Sequence, residues 1–492
     1  MLAYLRMSVL ALLTLLLAPI LLLLAVALLT FNAVHAVARL FHSDLPLEDT
    51  PLSGLASIVI LNWNGRDLLA QGLPSVLAAV HADGRPHEIL VVDNGSTDGS
   101  LEYVQKGFPE VRVLALPENL GFAAGNNEGV RAAAHDIVVL LNNDMIVDPG
   151  FLRPLLDGFG PKTFAVSSQI YLQDPDARRE ETGKTRAVFR RGMMDYSHCI
   201  LDGKSLERAY YPSFWAGGGS SAFHRARFLM LGGFQELYSP AYVEDTDLSY
   251  QAWKIGWEIV FAPASVVYHR HRASSNRRFS RHELQALIAR NQLLFIWKNI
   301  HSWRLLLAHC LFLPWNCYRL ARDFGLGIWR SLFEAALRIP SVEAARLSMR
   351  YRTARSDTDI LELFVKLGLF FAGLRTPPAD VAQGSQERRK ADSRSIRAGS
   401  AQLKVLWLTA YLPHLGRHAG AGRMFHLLDR LSRKHRITLL TFLESEDERE
   451  LLPEVASRCE KVIALQRVPP LRWQLFAYEP FDEFRTPEMQ EA

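Results

Sequence analysis

"HEILVVDNGSTDGSLEYVQKGF", residues 87–108, is the stretch that decides the fold. Four aliphatic residues, Ile89 to Val92, run into Asp93, Asn94, Gly95 and Ser96, and a helical pattern begins at Ser100. A strand that passes through a short polar turn into a helix is the repeating unit of a mainly parallel sheet flanked by helices. The unit recurs on either side. Upstream, "ASIVILNWN" (56–64) reads as a strand and "RDLLAQGLPSVLAAV" (66–80) as an amphipathic helix. Downstream, "VRVLAL" (111–116) is a strand, and "NNEGVRAAA" (126–134) is a helix leading into a strand from His135 to Leu141. Every strand ends in turn-forming polar residues: Asn62-Trp63-Asn64-Gly65, Asp93 to Ser96, Pro117-Glu118-Asn119, and Asn142-Asn143-Asp144. Ligands of such sheets collect beyond the carboxyl ends of the strands. A carboxylate there is costly unless water, a cation or a ligand meets it, so four polar ends on one rim predict a crevice.

The chain of 492 residues is longer than one core usually organises, which predicts two or more domains. Its net charge of +5 is modest and is better read locally than globally. The cysteines, Cys199, Cys310, Cys317 and Cys459, are scattered, as in a reducing compartment. From Met7 to Phe31 the chain is uncharged over about 25 residues, enough for a transmembrane helix across roughly 30 Å of hydrocarbon. Pro19 would kink that helix without excluding it. A cleaved signal peptide is the rival, helped by "AVHAVA" (33–38), but its apolar region is normally shorter.

The predicted organisation has five parts: an anchor and connector over 1–50, an α/β domain over 55–300, amphipathic or membrane-associated helices over 301–375, a flexible linker over 376–401, and a partial Rossmann-like α/β segment over 402–492. Between Ser302 and Pro340, Arg and Trp are interleaved among aliphatics, which suits helices at a membrane surface and equally helices packed on the domain.

Five motifs occur in order: "IVILNWNG", "ILVVDNGSTDGS", "NLGFAAGNNEG", "LLNNDM" and "YVEDTDLSYQAWKIGW". Together they resemble the signature of family 2 glycosyltransferases with the GT-A fold, in particular the rhamnosyltransferase-like bacterial branch of cell-surface polysaccharide assembly. The resemblance implies a GT-A mixed sheet, a nucleotide-diphosphate sugar donor, and a divalent cation, Mg2+ or Mn2+, held against the diphosphate by oxygen ligands. The metal ligand it implies is Asp144. The family usually carries an Asp-x-Asp-like element where this chain has Asn142-Asn143-Asp144. One strong carboxylate remains, so weak metal binding, filled mainly when substrate is present, is expected. His269 corresponds to a position that often touches the metal or the diphosphate, with His271 as the alternative.

For the donor, the resemblance implies that Asp93 accepts a hydrogen bond from the base; a turn with a helix cap is the structural rival. Asn62, Asn64, Asn119, Gly121, Phe122, Gly125, Asn126 and Asn143 belong by resemblance to the nucleotide-sugar pocket. Inverting displacement needs an acceptor hydroxyl deprotonated as it attacks, and a carboxylate is the usual proton acceptor. "VEDTDLSYQAWKIG" (243–256) offers Glu244, Asp245 and Asp247 at a helix start, where acids are favoured by the dipole whatever their chemistry. Asp245 is the expected base, Glu244 its neighbour, and Asp247 structural. "FWAGGGSSAFHR" (214–225) brings Trp215, Gly217 and Gly218 to the acceptor or sugar pocket, with a core tryptophan as the other reading.

The expected function is transfer, with inversion, to a lipid-linked saccharide acceptor. The anchor would lie in the cell inner membrane with the catalytic domain in the cytosol, where nucleotide sugars are made, and the N-terminus outside if the helix is a single span. The reduced Asn-Asn-Asp element motivates a rival, a membrane-anchored nucleotide-binding scaffold or inactive pseudo-transferase. A nucleotidyltransferase would need a basic Gly-rich loop that "NWNGRD" does not supply. Arg270, Arg272, Arg277, Arg278 and Arg281 lack the interleaved aromatics of a nucleic-acid site and suit a diphosphate or anionic lipid. Finally, "LTAYLPHLGRHAGAGRMFHLLDRLSRKH" (408–435) resembles the start of a family 4 GT-B glycosyltransferase. It is too short for both GT-B halves, so a truncated enzyme or a remnant is expected.

Overall fold

The computed structural model describes residues 10, 14, 16–43, 52–172, 180–199, 209–269, 281–325, 327–349, 351–364, 404–409, 412–414, 419–443 and 446–466. The chain divides into two units, Met1–Thr376 and Pro377–Ala492. His271, Arg270, Arg272, Arg277, Arg278 and the linker expected over 376–401 lie outside the described residues.

The first unit opens with helix α1 (Ala18–Ala38). It then alternates as expected: β1 (Ala56–Asn62), α2 (Arg66–Asp83), β2 (Glu88–Asn94), α3 (Ser100–Gly107), β3 (Arg112–Leu116), α4 (Gly121–Ala132) and β4 (Ile137–Asn142). Next come β5 (Met145–Val147), α5 (Leu152–Asp157), β6 (Thr163–Leu172) and β7 (Glu180–Thr182). The hairpin β8 (Thr185–Arg190) and β9 (Met193–His198) follows, then β10 (Tyr211–Pro212), β11 (Ser220–His224), α6 (Arg225–Met230), α7 (Glu244–Lys254) and β12 (Glu258–His269). Helices α8 (Arg281–Asn299), α9 (Trp303–Phe324), α10 (Gly327–Leu337) and α11 (Ile339–Leu347) complete it.

One sheet runs β10-β12-β6-β11-β4-β1-β2-β3. The β3-β2-β1-β4 half is parallel, β11 is antiparallel to both β4 and β6, and β12 is parallel to β6. The mixed, mainly parallel sheet flanked by helices is as expected. Both faces are covered because successive side chains point to opposite sides. Val59, Leu90, Val92, Val138 and Leu140 join one core, while Ile58, Ile60, Ile89, Val91, Val139 and Leu141 join the other, under α2 and α5.

Two expectations need correction. Helix α4 starts at Gly121, five residues before the predicted Asn126, so the small-residue stretch expected ahead of the helix is helix itself. Gly and Asn are weak helix formers, and tertiary packing overrides them here. The apolar N-terminal helix runs on past Phe31 to Ala38, with Pro19 in the first turn of this segment, where a proline costs no hydrogen bond; Leu10, Thr14 and Leu16 before it are also helical, with a turn at Leu17. Helices α9 to α11 pack on the domain. Leu313, Cys317, Leu332 and Val342 are buried against the domain, while Leu311 and Phe333 face outward.

The second unit contains β13 (Lys404–Thr409), α12 (Ala419–Ser432), β14 (Arg436–Leu443), α13 (Leu452–Ala456) and β15 (Lys461–Gln466). Its three strands are parallel in the order β13-β14-β15, with Ile437, Leu439, Phe425 and Leu428 as core. This is the α/β alternation expected of the segment; its likeness to a family 4 enzyme rests on sequence alone.

Candidate active site

The carboxyl ends of the parallel strands stand abreast: Asn62 is in register with Asp93, and Leu61 with Asn142. Two loops are laced together there. Asn62 Nδ2 reaches Asp93 Oδ1 at 3.5 Å and Ser96 Oγ at 3.3 Å. The Ser96 backbone N–H donates to Asp93 Oδ2 at 3.2 Å, and Asn64 Oδ1 accepts from the Thr97 N–H at 2.8 Å. Asn143 Nδ2 donates to Asn62 Oδ1 at 2.8 Å, which ties the β4 end to the β1 end. Asp93 is thus both turn acceptor and buried rim carboxylate, 3% exposed.

Asn119 accepts from Asn94 and from the Gly121 N–H, closing the turn into α4. Gly121 has φ +84°, the left-handed region that favours glycine. Two expected pocket residues face inward. A Cβ on Gly125 would come within 2.6 Å of Leu61, and Asn126, 2% exposed, donates to the Phe122 carbonyl. They seat α4 on the sheet. Phe122 packs beside Gly218 and stacks with Phe234 at 6.2 Å.

Beyond β4 the chain turns at Asp144 into β5, which pairs with the far end of β12 so that Met145 lies opposite His269. That register brings His269 Nε2 within 3.4 Å of Asp144 Oδ2. Asp144 is 9% exposed, and its Oδ1 is buried with no hydrogen-bond partner among the described residues. A bare carboxylate oxygen at a strand end calls for a cation or a donor. Among the described residues no three His, Cys, Asp or Glu side chains are grouped to hold a metal. A cation held here needs oxygens from a bound ligand as well.

The acidic pair comes from the other side of β4. The Asn142 N–H donates to the Gly219 carbonyl (2.9 Å), and the adjoining Gly218 N–H reaches Asp245 Oδ2 (3.4 Å). The structure therefore links Asp144 and Asp245 through one short backbone path. Asp245 is half-buried, whereas Glu244 is 4% exposed, its Oε2 without a hydrogen-bond partner among the described residues. Burial, then the charge of Asp245, pushes the Glu244 carboxyl up to about 8. Burial also raises Asp245, opposed by hydrogen bonds from Thr246 and Gly218. Trp215 is half-buried against Tyr196 and His198, with ring centroids 5.9 and 5.3 Å away.

Three features escaped the sequence motifs. Tyr196 and His198 reach the site from hairpin β8–β9, and no local pattern marks them. Tyr242 and Val243, just before α7, have φ of +74° and +80°. Such backbone is costly for a β-branched residue and persists only when its surroundings hold it. Asn291 on α8 supplies that hold: its Nδ2 lies 2.8, 3.0 and 2.9 Å from the carbonyls of Tyr238, Ala241 and Tyr242.

Residues 57–217 match the family model Glycosyl transferase family 2. Over this stretch the chain is similar to glycosyltransferase family 2 domains. Similar curated proteins include an N-acetylglucosaminyl-diphospho-decaprenol L-rhamnosyltransferase of Mycobacterium tuberculosis, 29% identical over 221 residues, covering 40% of this chain and 70% of that protein. A putative polypeptide N-acetylgalactosaminyltransferase 10 of Drosophila melanogaster is 26% identical over 204 residues, covering 37% and 30%. Among solved structures, GalNAc-T7 with UDP, GalNAc and Mn2+ aligns at 18% identity and TM-score 0.41, covering 58% of this chain and 57% of that one. A mannosyltransferase from Pyrobaculum calidifontis in complex with GDP-Man and Mn2+ aligns at 16% and 0.37, covering 70% and 98%.

Proposed function

We propose that this GT-A-like domain, over about residues 55–300, transfers a hexosyl or deoxyhexosyl group, with inversion, from a nucleotide-diphosphate sugar to a lipid-linked saccharide in bacterial cell-surface polysaccharide synthesis. The supporting observation is the pairing on one rim of a bare carboxylate beside a histidine, Asp144 and His269, with a second carboxylate, Asp245 at the start of α7, against the adjoining Gly218 loop. The rhamnosyltransferase relative, whose name carries a diphospho-decaprenol acceptor, supports the lipid-linked class.

In this reading Asp93, Asn62, Asn64 and Asn143 shape the nucleotide end, and Asp144 with His269 faces the diphosphate. A divalent cation bound there would neutralise charge on the departing diphosphate. Asp245 is the base: it is half-buried, so an incoming hydroxyl can reach it, and its burial favours the protonated product of that step. Glu244, enclosed behind it, stays protonated near neutral pH and spares Asp245 a second adjacent negative charge. Gly217 leaves room for the sugar beside Asp245, Gly218 lets the backbone pass close over Phe122 and Phe234, and Trp215 offers a ring edge at the acceptor side. The domain works at the cytosolic face, where nucleotide sugars are made.

Nucleotide release from a panel of donors, with Mg2+ or Mn2+ and after chelation, tests the reading. Release that is strongest for one donor and falls at least tenfold on chelation is expected. The rival, a nucleotide-binding pseudo-transferase, is favoured by Asn143, whose amide is spent on Asn62 and offers no carboxylate. Donor binding without turnover under any metal would select it.

A further inference from the structure

The apolar stretch Ala18–Phe41 is long enough to cross a membrane, by length and composition. Its packing points elsewhere. Leu21, Leu24, Leu28, Asn32 and His35 are buried, at helical spacings of three and four, so protein covers one continuous face over about 21 Å. The seat is polar at one end. Asn32 Nδ2 donates to the His301 carbonyl (3.2 Å), Arg346 Nη2 donates to Asn32 Oδ1 (2.7 Å), and the His35 and His301 rings lie 4.6 Å apart.

Helix α9, which packs beside α1, is itself fixed to hairpin β8–β9. His309 Nδ1 donates to the Gly192 carbonyl (2.7 Å) and Asn316 Nδ2 to that of Arg191 (2.8 Å). That helix carries Arg319, Arg322 and Asp323, and the hairpin carries Arg186, Arg190 and Asp195. A spanning α1 would have to leave its seat or drag these charges into hydrocarbon, where each is strongly disfavoured.

The outer face is of another kind. Leu23, Val26 and Val37 of α1 are exposed, and so are Leu307, Leu311 and Trp315 of α9, a stripe bounded by Arg304 and Arg322. Residues 18–41 and 303–347 together contain seven arginines and three acidic residues. An apolar stripe with a tryptophan, ended by arginines on a basic background, complements an anionic leaflet.

We propose that α1 and α9 lie together in the plane of an anionic lipid leaflet, as a monotopic platform, and that α1 does not cross the bilayer. The N-terminus and the catalytic domain then share one side of the membrane. The hairpin that seats α9 ends at Tyr196 and His198 beside Trp215, so a lipid-borne acceptor held at the platform meets the Asp245 side. That last step alone rests on the glycosyl-transfer reading.

Two measurements on the full chain test the platform. In sealed membrane vesicles of both orientations, an N-terminal epitope and the 52–300 domain should become protease-sensitive from the same face; sensitivity from opposite faces overturns the proposal. In flotation with phosphatidylglycerol-containing vesicles, the double variant Val26→Glu, Leu311→Glu should bind roughly tenfold or more weakly than the parent, and pure phosphatidylcholine should bind the parent less. Unchanged vesicle binding, or a changed oligomeric state with vesicle binding intact, would instead assign the face to a second copy. Donor hydrolysis in detergent should be the same for the variant and the parent, which keeps failure of the platform distinct from failure of the transfer reading.

Discussion

Two carboxylates in the first turns of α7 face opposite ways. Asp247 is fully buried and saturated: it accepts from the Tyr238 hydroxyl (2.8 Å), Gln251 Nε2 (2.8 Å), Lys298 Nζ (2.5 Å) and Asn299 Nδ2 (2.6 Å). Asp245, two residues earlier, is half-buried, and among the described residues its hydrogen bonds beyond its neighbour Thr246 come down to a long contact from the Gly218 N–H. Glu244 Oε2 has no hydrogen-bond partner among the described residues. The helix dipole favours all three equally. What separates them is donor supply. A carboxylate given four donors holds helices together, and one left short keeps a lone pair for a proton from outside.

Breaking the open side should have the largest effect. Asp245→Asn is expected to lower kcat by about 10²–10⁴ while leaving the thermal midpoint close to the parent's; steady-state transfer and a melt together check this, and an unchanged kcat would sink the assignment. Breaking the closed side should act on stability instead. Asp247→Ala leaves Lys298 buried without its partner and should cost about 3–5 kcal/mol in denaturant unfolding.

A third substitution separates the two behaviours by pH. The Glu244 carboxyl, raised from 4.5 to about 8, keeps its proton in the folded chain where the unfolded chain releases it. Stability from this group is therefore full below about pH 4.5 and is lost as pH rises toward 8. Glu244→Gln should flatten that decline and raise stability at pH 8 by a few kcal/mol, on the order of what such a shift represents; melts from pH 5 to 8 measure it. The smallest effect is expected for Asn291→Ala, which removes the clasp on the strained Tyr242–Val243 backbone. It should lower kcat about tenfold with KM nearly unchanged and cost about 1–2 kcal/mol.

The strand ends were legible because each aliphatic run stops at a polar turn, and four such turns in phase place one rim. Glu244 and Asp245 were legible as a helix start. At Gly125 and Asn126 the sequence did not show the close helix–sheet packing, because small and amide residues suit both close ligand approach and such packing, and the approach of Leu61 to Gly125 is visible only in the fold. The hairpin carrying Tyr196 and His198 and the clasp from Asn291 were not legible. Their partners lie far along the chain, and neither alternation nor spacing encodes a contact at that range. The polar seat of α1 escaped for the same reason: Asn32 and His35 look like blemishes in an apolar run until His301 and Arg346 are beside them.

The pairing of β5 with the last residues of β12 carries a consequence for synthesis. Asp144 leaves the ribosome long before His269, and β12 must also slot in between β6 and β10 before the two side chains meet. Such distant pairings close late. A nascent chain halted before β12 would present a half-sheet with an open edge and no histidine for its carboxylate, so the candidate site stays incomplete until most of the first unit has been made.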